Sequence, residues 1–234
     1  MAPYLQLRRR EAKRLIEAAY ICDGRVIEVK GFLPQSFSQS ETTYGILDRV
    51  GIEYDAGYQA GLIFEPGHEN DSWLYPVEDR NFSAVPMSTH LLSGELVPLS
   101  DRFAKEVLKL SGPEWQDLLA SEFDECVERG DPMVVIFTNV VAGQDEGYME
   151  AYRNFVDYAT SKDANFVSTL ELVEMARSRA GQIKSGNSRG PQSSSVFFFV
   201  PPQRGSSPNL SCHHLSYAPT AFSLFISSSP KGYS

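Results

Sequence analysis

The chain has 234 residues, 42% of them hydrophobic and 22% charged, with a formal net charge of -9. That length suits one good-sized domain or two small ones, and the composition is that of an ordinary soluble globular protein. An acidic chain without a basic stripe is poorly suited to nucleic acid, and no run is long and apolar enough to span a membrane.

The chain begins M-A-P-Y-L-Q-L-R-R-R-E-A, which is basic but has no apolar signal-peptide core after it. Arg8 to Ala19 reads as a helix with Ala12, Leu15, Ile16 and Ala19 on one face. A turn at Asp23-Gly24 leads to a strand over Val26 to Phe32. Ser38-x-x-Glu41 has the spacing of a capping box, so a helix is expected from Gln39 to Val50, stopped by Gly51. Ile52-Glu53-Tyr54 reads as a short strand ending at Asp55.

Ala56 to Asp79 reads as a long loop, and loops of that length are more often functional than filler. Phe82 to Met87 is the next strand, and Ser88 to Leu110 a loop with a short helix. Ser111-x-x-Glu114 with Pro113 opens a helix that runs to about Arg129 and stops at Gly130. Met133 to Phe137 is wholly apolar and suits a strand buried on both faces. A helix follows over Gly147 to Lys162, then a short strand at Asn165 to Val167, then a helix capped by Ser168-x-x-Glu171 and ending by Gly181. Alternating strands and helices imply parallel strands with helical crossovers, either a small open α/β sheet or part of a barrel.

After Gly181 the character changes. Residues 185–234 contain none of the chain's 30 acidic residues and are rich in Ser and Pro. They read as a disordered tail, so the expected division is a domain over residues 1–181 and a tail over 182–234. The three cysteines, Cys22, Cys126 and Cys212, are too far apart for a zinc knuckle, and Cys22 and Cys126 suit buried, small-hydrophobe roles.

Ligands of parallel α/β folds bind at the carboxyl ends of the strands. That rule selects Leu33-Pro34-Gln35, Asp55, Pro86 to His90, Thr138-Asn139 and Ser168-Thr169. Asp55 either orients a base or binds a sugar hydroxyl, or it is a turn former before Gly57. Trp73 and Tyr75 either stack on a sugar ring or anchor the loop to the core. A zinc site at His68-Glu69-Asn70-Asp71 requires a further ligand, for which His90 is the candidate; the alternative is a solvated loop. Asn139 either bonds a carbonyl or hydroxyl or simply ends a strand. There is no G-x-S-x-G elbow, phosphate loop or dinucleotide fingerprint.

The order Val29-Lys30-Gly31-Phe32-Leu33-Pro34, a capped helix with Thr43-Tyr44-x-x-Leu47, and then Val50-Gly51-Ile52-Glu53-Tyr54-Asp55 resembles the polysaccharide deacetylases with the NodB homology domain. The resemblance extends through Gly130-x-Pro132 before a hydrophobic strand, through Tyr148 to Ala159, and through Phe166-Val167-Ser168-Thr169-x-Glu171-Leu172, and covers roughly Arg8 to Ala180.

It implies the C-terminal part of a distorted (β/α)7-type barrel, and hydrolysis of acetyl groups on sugar polymers by a water bound to a divalent metal such as zinc. Carried onto this chain, it matches Asp55 and Trp73; the strand-end rule and the aromatic pair add Asn139 beside Asp55 as a catalytic candidate, and Pro34, Gln35, Tyr75 and Thr138 beside Trp73 as contacts to the substrate, a polysaccharide or acetylated oligosaccharide. The family's Asp-Asp pair and His-x-x-x-His ligands have no counterpart here, its Arg falls at Leu33, and the late strand that should lead to its acid reads Val135-Ile136-Phe137-Thr138-Asn139. The chain is therefore expected to hold no metal in the family's manner and to lack that hydrolysis. The alternative expectation is a non-catalytic carbohydrate-binding or cell-surface module.

Overall fold

The computed structural model describes residues 29–34, 37–184, 195–199, 221–222 and 224–227. The expected first helix, Gln35, Cys22, Cys212 and the tail histidines lie outside these residues. Strand β1 (Gly31–Phe32) is followed by helix α1 (Glu41–Val50) and strand β2 (Tyr54–Gln59). The cap of α1 is Ser40 rather than Ser38: its hydroxyl accepts from the Thr43 N–H at 3.2 Å. Glu41 is then the first helical residue and cannot complete the expected box. Gly51 ends the helix at φ 69°, a left-handed conformation that glycine adopts without penalty.

Strand β3 (Tyr75–Pro76) and strand β4 (Ser83–Met87) complete a sheet of order β1-β2-β4-β3. The first three of these strands run parallel, and β3 is antiparallel to β4. Asp55 does not end its strand as the sequence suggests: β2 continues to Gln59 through a register shift between Asp55 and Tyr58. Gly57 makes this irregularity possible, because a Cβ there would run into the Pro34 ring and the Gln39 amide.

The segment read as a loop after Ser88 is mostly a hairpin, with β5 (Thr89–Leu92) antiparallel to β6 (Glu95–Pro98). Its turn is Ser93-Gly94, with φ of 53° and 89°, the positive values that a two-residue hairpin turn requires. The neck of the hairpin is pinched: the Leu99 N–H donates to the Ser88 carbonyl at 2.9 Å. A short helix, α2 (Asp101–Glu106), precedes the long α3 (Gly112–Arg129), whose capping box at Ser111 and Glu114 is formed as the spacing predicts.

The apolar run beyond α3 forms two short strands, β7 (Pro132–Val134) and β8 (Phe137–Thr138), rather than one. Helix α4 (Glu146–Ser161), capped by Asp145, precedes β9 (Phe166–Val167) and α5 (Thr169–Lys184). Helices α3 and α4 bury Trp115, Leu119, Phe123, Tyr148, Ala151 and Phe155 between them and the β7–β8 segment.

Beyond Gly181, three of the described stretches are paired as strands. These are β10 (Ser195–Phe199), β11 (Ala221–Phe222) and β12 (Leu224–Ser227). β10 lies parallel to β7, β12 joins β10 to β9, and β11 pairs with β8. The aromatic and β-branched run at Val196–Phe199 supplies the strand preference that the surrounding Ser and Pro mask. The described architecture is thus mixed α/β with a largely parallel first sheet and no closed barrel. No described helix is long and apolar enough to cross a membrane.

Candidate functional site

Asp55 is fully buried. One carboxylate oxygen accepts from the Gly57 N–H at 2.8 Å, and the other faces the Gln39 side-chain amide at 3.4 Å. Beyond Gln39 runs a chain of polar atoms. The Tyr44 hydroxyl lies 2.8 Å from Gln39 Oε1 and 2.7 Å from the Tyr58 hydroxyl, which lies 3.0 Å from Glu65 Oε1. Two phenol protons serve these three contacts, so the chain cannot satisfy all of them at once from the tyrosines alone. Burial first, and the Glu65 carboxylate after it, push the Tyr44 phenol up to about 12, and burial raises Tyr58 further. Both remain neutral donors throughout the physiological range.

The other residues selected from the sequence are placed as follows. Pro34 is buried against Gly57. Tyr75 accepts from the Glu65 N–H at 3.2 Å, and one face of its ring is covered by His68, stacked at 3.8 Å. Trp73 packs at the edge of the apolar cluster of Ala56, Val85, Val134, Leu172 and Val173, with the Arg179 guanidinium over its ring at 4.1 Å. Its indole N–H is buried without a hydrogen-bond partner. Both aromatic residues thus hold the loop through contacts within the chain.

Thr138 gives its N–H and its hydroxyl to the buried Asp101 carboxylate, at 2.7 and 3.3 Å. Asn139 lies in the exposed turn that follows. Leu33 packs against the same apolar cluster as Trp73.

The two described histidines do not share a site. His68 pairs with Asp71 at 2.6 Å, whereas His90 pairs with Glu122 at 2.9 Å. Among the described residues, no group of one Asp and two His is gathered around Asp55.

A different group assembles at the carboxyl ends of β2 and β4. Ala60 follows β2 and Ser88-Thr89 follow β4; with Leu91, Leu96 and the face of α3 that carries Glu122, Glu125 and Arg129, they line a pocket of about 190 Å³. His90 Nδ1 stands 2.9 Å from Glu122 Oε2 and 3.9 Å from Glu125 Oε1. Arg129 donates to Glu122 Oε1 at 2.7 Å and to Glu125 Oε2 at 3.2 Å, and also holds Asp131 at 3.1 Å. Burial works against the Arg129 charge, but the hydrogen bond to Glu122 and its other acidic partners more than offset this and raise its pKa. Burial, reinforced by the Glu122 charge, pushes the adjacent Cys126 thiol up, so it stays protonated and donates to Glu122.

The sequence reading selected His90 but missed its partners. One signal was available. Trp115, Leu118, Leu119, Phe123 and Cys126 mark the buried stripe of α3, and Glu122 stands inside that stripe. A carboxylate in an apolar stripe requires a partner from elsewhere in the fold.

No family model, no curated protein and no solved structure matches the chain.

Proposed function

We propose that this is a polysaccharide deacetylase-like domain, from the C-terminal part of the distorted (β/α)7-type barrel, that binds acylated oligosaccharide in the pocket beyond β2 and β4. The observation that carries the reading is the position and lining of that pocket. It lies at the carboxyl edge of parallel strands, where α/β folds take their ligands. Its carboxylates accept sugar hydroxyls, Arg129 donates, and Leu91 and Leu96 offer apolar surface to ring C–H groups or an acetyl methyl. The motif order around Gly31 to Asp55 supports the family reading, with Asp55 holding the β2 irregularity that shapes the strand end.

Recognition rather than hydrolysis is favoured, because the residues at the family's Arg and acid positions are a packed Leu33 and an exposed Asn139.

The test is calorimetric titration of the full chain with N-acetylated chito-oligosaccharides. Saturable binding is expected, and Leu91→Arg should abolish it. Leu91 is 62% exposed, so this change blocks the pocket mouth without disturbing the core. Absence of saturable binding at millimolar oligosaccharide would overturn the reading. Acetate release that a chelator abolishes would overturn the non-hydrolytic part alone.

A further inference from the structure

We infer that His90, Glu122 and Glu125 form a binding site for one divalent cation of the zinc class, with an open coordination position, beside the pocket. The three side chains come from two distant parts of the chain, the β5–β6 hairpin and helix α3. Each offers a donor atom, and the three donors lie within 4.8 Å of one another.

Zinc bonds to nitrogen and oxygen of about 2.1 Å, in a tetrahedron, put neighbouring donors about 3.4 Å apart. The observed separations from His90 Nδ1 to Glu122 Oε2 and Glu125 Oε1, 2.9 and 3.9 Å, bracket that value. An ion binding there replaces the hydrogen bond in which His90 Nδ1–H donates to Glu122, and the proton leaves Nδ1 as the metal enters.

Arg129 supplies the second argument. It takes the outer oxygen of each carboxylate, Oε1 of Glu122 and Oε2 of Glu125, and leaves the inner oxygens turned toward His90. A hydrogen-bonding partner that grips the non-ligating atom and fixes the ligand's orientation is the usual outer layer of a metal centre. Cys126 adds a bond to the same outer oxygen of Glu122.

Charge points the same way. Among the described residues, Glu122, Glu125 and Asp131 are all paired with Arg129, three carboxylates to one guanidinium, which leaves an excess of negative charge. A divalent cation neutralises it. Glu122 is almost wholly buried and His90 nearly so, with side chains 3% and 12% exposed, which strengthens the attraction. Three protein ligands with the fourth position open are the arrangement of zinc sites that bind an exchangeable oxygen ligand. Two of the three ligands, Glu122 and Glu125, also line the pocket with Ser72, Thr89 and Leu91, which puts that pocket beside the ion. The inference stands whether or not a sugar enters the pocket.

The test uses the full chain, stripped with a chelator and titrated with zinc chloride by calorimetry, and with cobalt(II) chloride followed by visible absorption. One zinc per chain is expected, together with the strong visible bands of four-coordinate cobalt. His90→Gln and Glu125→Gln should each weaken zinc at least tenfold and remove the cobalt bands. Glu125 is half-exposed, so its variant keeps the fold. Glu128→Gln, exposed on the same helix, should change nothing. Failure to take up stoichiometric zinc would overturn the site, as would uptake unchanged in both ligand variants, which would place the ion elsewhere in the chain. Oligosaccharide binding measured in chelator keeps failure of the metal site distinct from failure of the sugar reading.

Discussion

Two of the three apolar clusters among the described residues are held by different means. Between β2, β4 and α1 the buried aromatics are Tyr44, Tyr58 and Tyr75, whose rings meet edge-on with one another or with Phe82 and whose hydroxyls end in a polar chain. Between α3 and α4 the aromatics are Trp115, Phe123, Tyr148 and Phe155; Trp115, Phe123 and Phe155 pack edge-on with neighbouring rings, and Tyr148 gives its hydroxyl to the Leu110 carbonyl rather than to another side chain. The second core depends on shape and area, and the first also on directional bonds that specify one arrangement. Functional pockets need specified geometry, and the pocket here draws residues from just beyond the first core and from the helix that walls the second.

The contrast can be broken most sharply at Phe155. It is fully buried, and Phe155→Ala should cost about 3–5 kcal/mol, read as a fall in the denaturant midpoint. A cost under about 1 kcal/mol would mean that the α3–α4 core is not close-packed.

Next comes Asp101, a fully buried carboxylate. Its Oδ2 accepts from Thr138 and Ala142, while Oδ1 is buried without a partner. Burial pushes its pKa from 3.8 up to about 6, against the lowering effect of the Thr138 and Ala142 N–H groups. Between these two values the folded chain holds a proton that the unfolded chain has released. Asp101 therefore lowers stability progressively as pH rises from about 4 to 6, by roughly 3 kcal/mol in all. Unfolding curves across that range should show a downward slope in wild type relative to Asp101→Asn, flat on either side. Parallel curves would remove the residue from the account.

A smaller effect is expected in the tyrosine core. Tyr58→Phe keeps the ring and removes the hydroxyl between Tyr44 and Glu65, which should cost about 1–3 kcal/mol. If the loss is negligible, the hydroxyl chain does not distinguish the two cores.

Smallest is Gly130→Ala at the end of α3. The position has φ 69° and open space around it, so the cost is conformational alone, about 1 kcal/mol in thermal unfolding.

Much of the helical frame was legible because it rests on local rules. The Ser111 box, the Ser168–Glu171 pair and the stops at Gly51 and Gly130 are all formed. Ser38 and Ser40 compete for one cap, and spacing alone could not choose between them. The hairpin was marked by Ser93-Gly94 between apolar pairs, a signal outweighed by the irregular composition around it. Asp55 was selected for the right strand but the wrong place on it, because Ala56-Gly57 reads as a stop and acts as a bulge. The grouping of His90 with Glu122 and Glu125 was the least legible. It joins residues 32 and 35 positions apart, and only the docking of the hairpin on α3 brings them together.

The pinched neck at Ser88 and Leu99 makes the hairpin a detour. Ser88 N–H donates to the Val134 carbonyl and its hydroxyl accepts from the Val134 N–H, while the Leu99 carbonyl accepts from Ile136. The wall next to β7 is thus carried by the two residues that flank the excursion, not by the ten within it. In evolutionary terms the excursion is an exchangeable cassette. A short bridge from Ser88 to Leu99 would leave the scaffold's seam intact while deleting His90, Leu91 and Leu96 together. A lineage could gain, retune or discard the pocket by editing one contiguous stretch of gene.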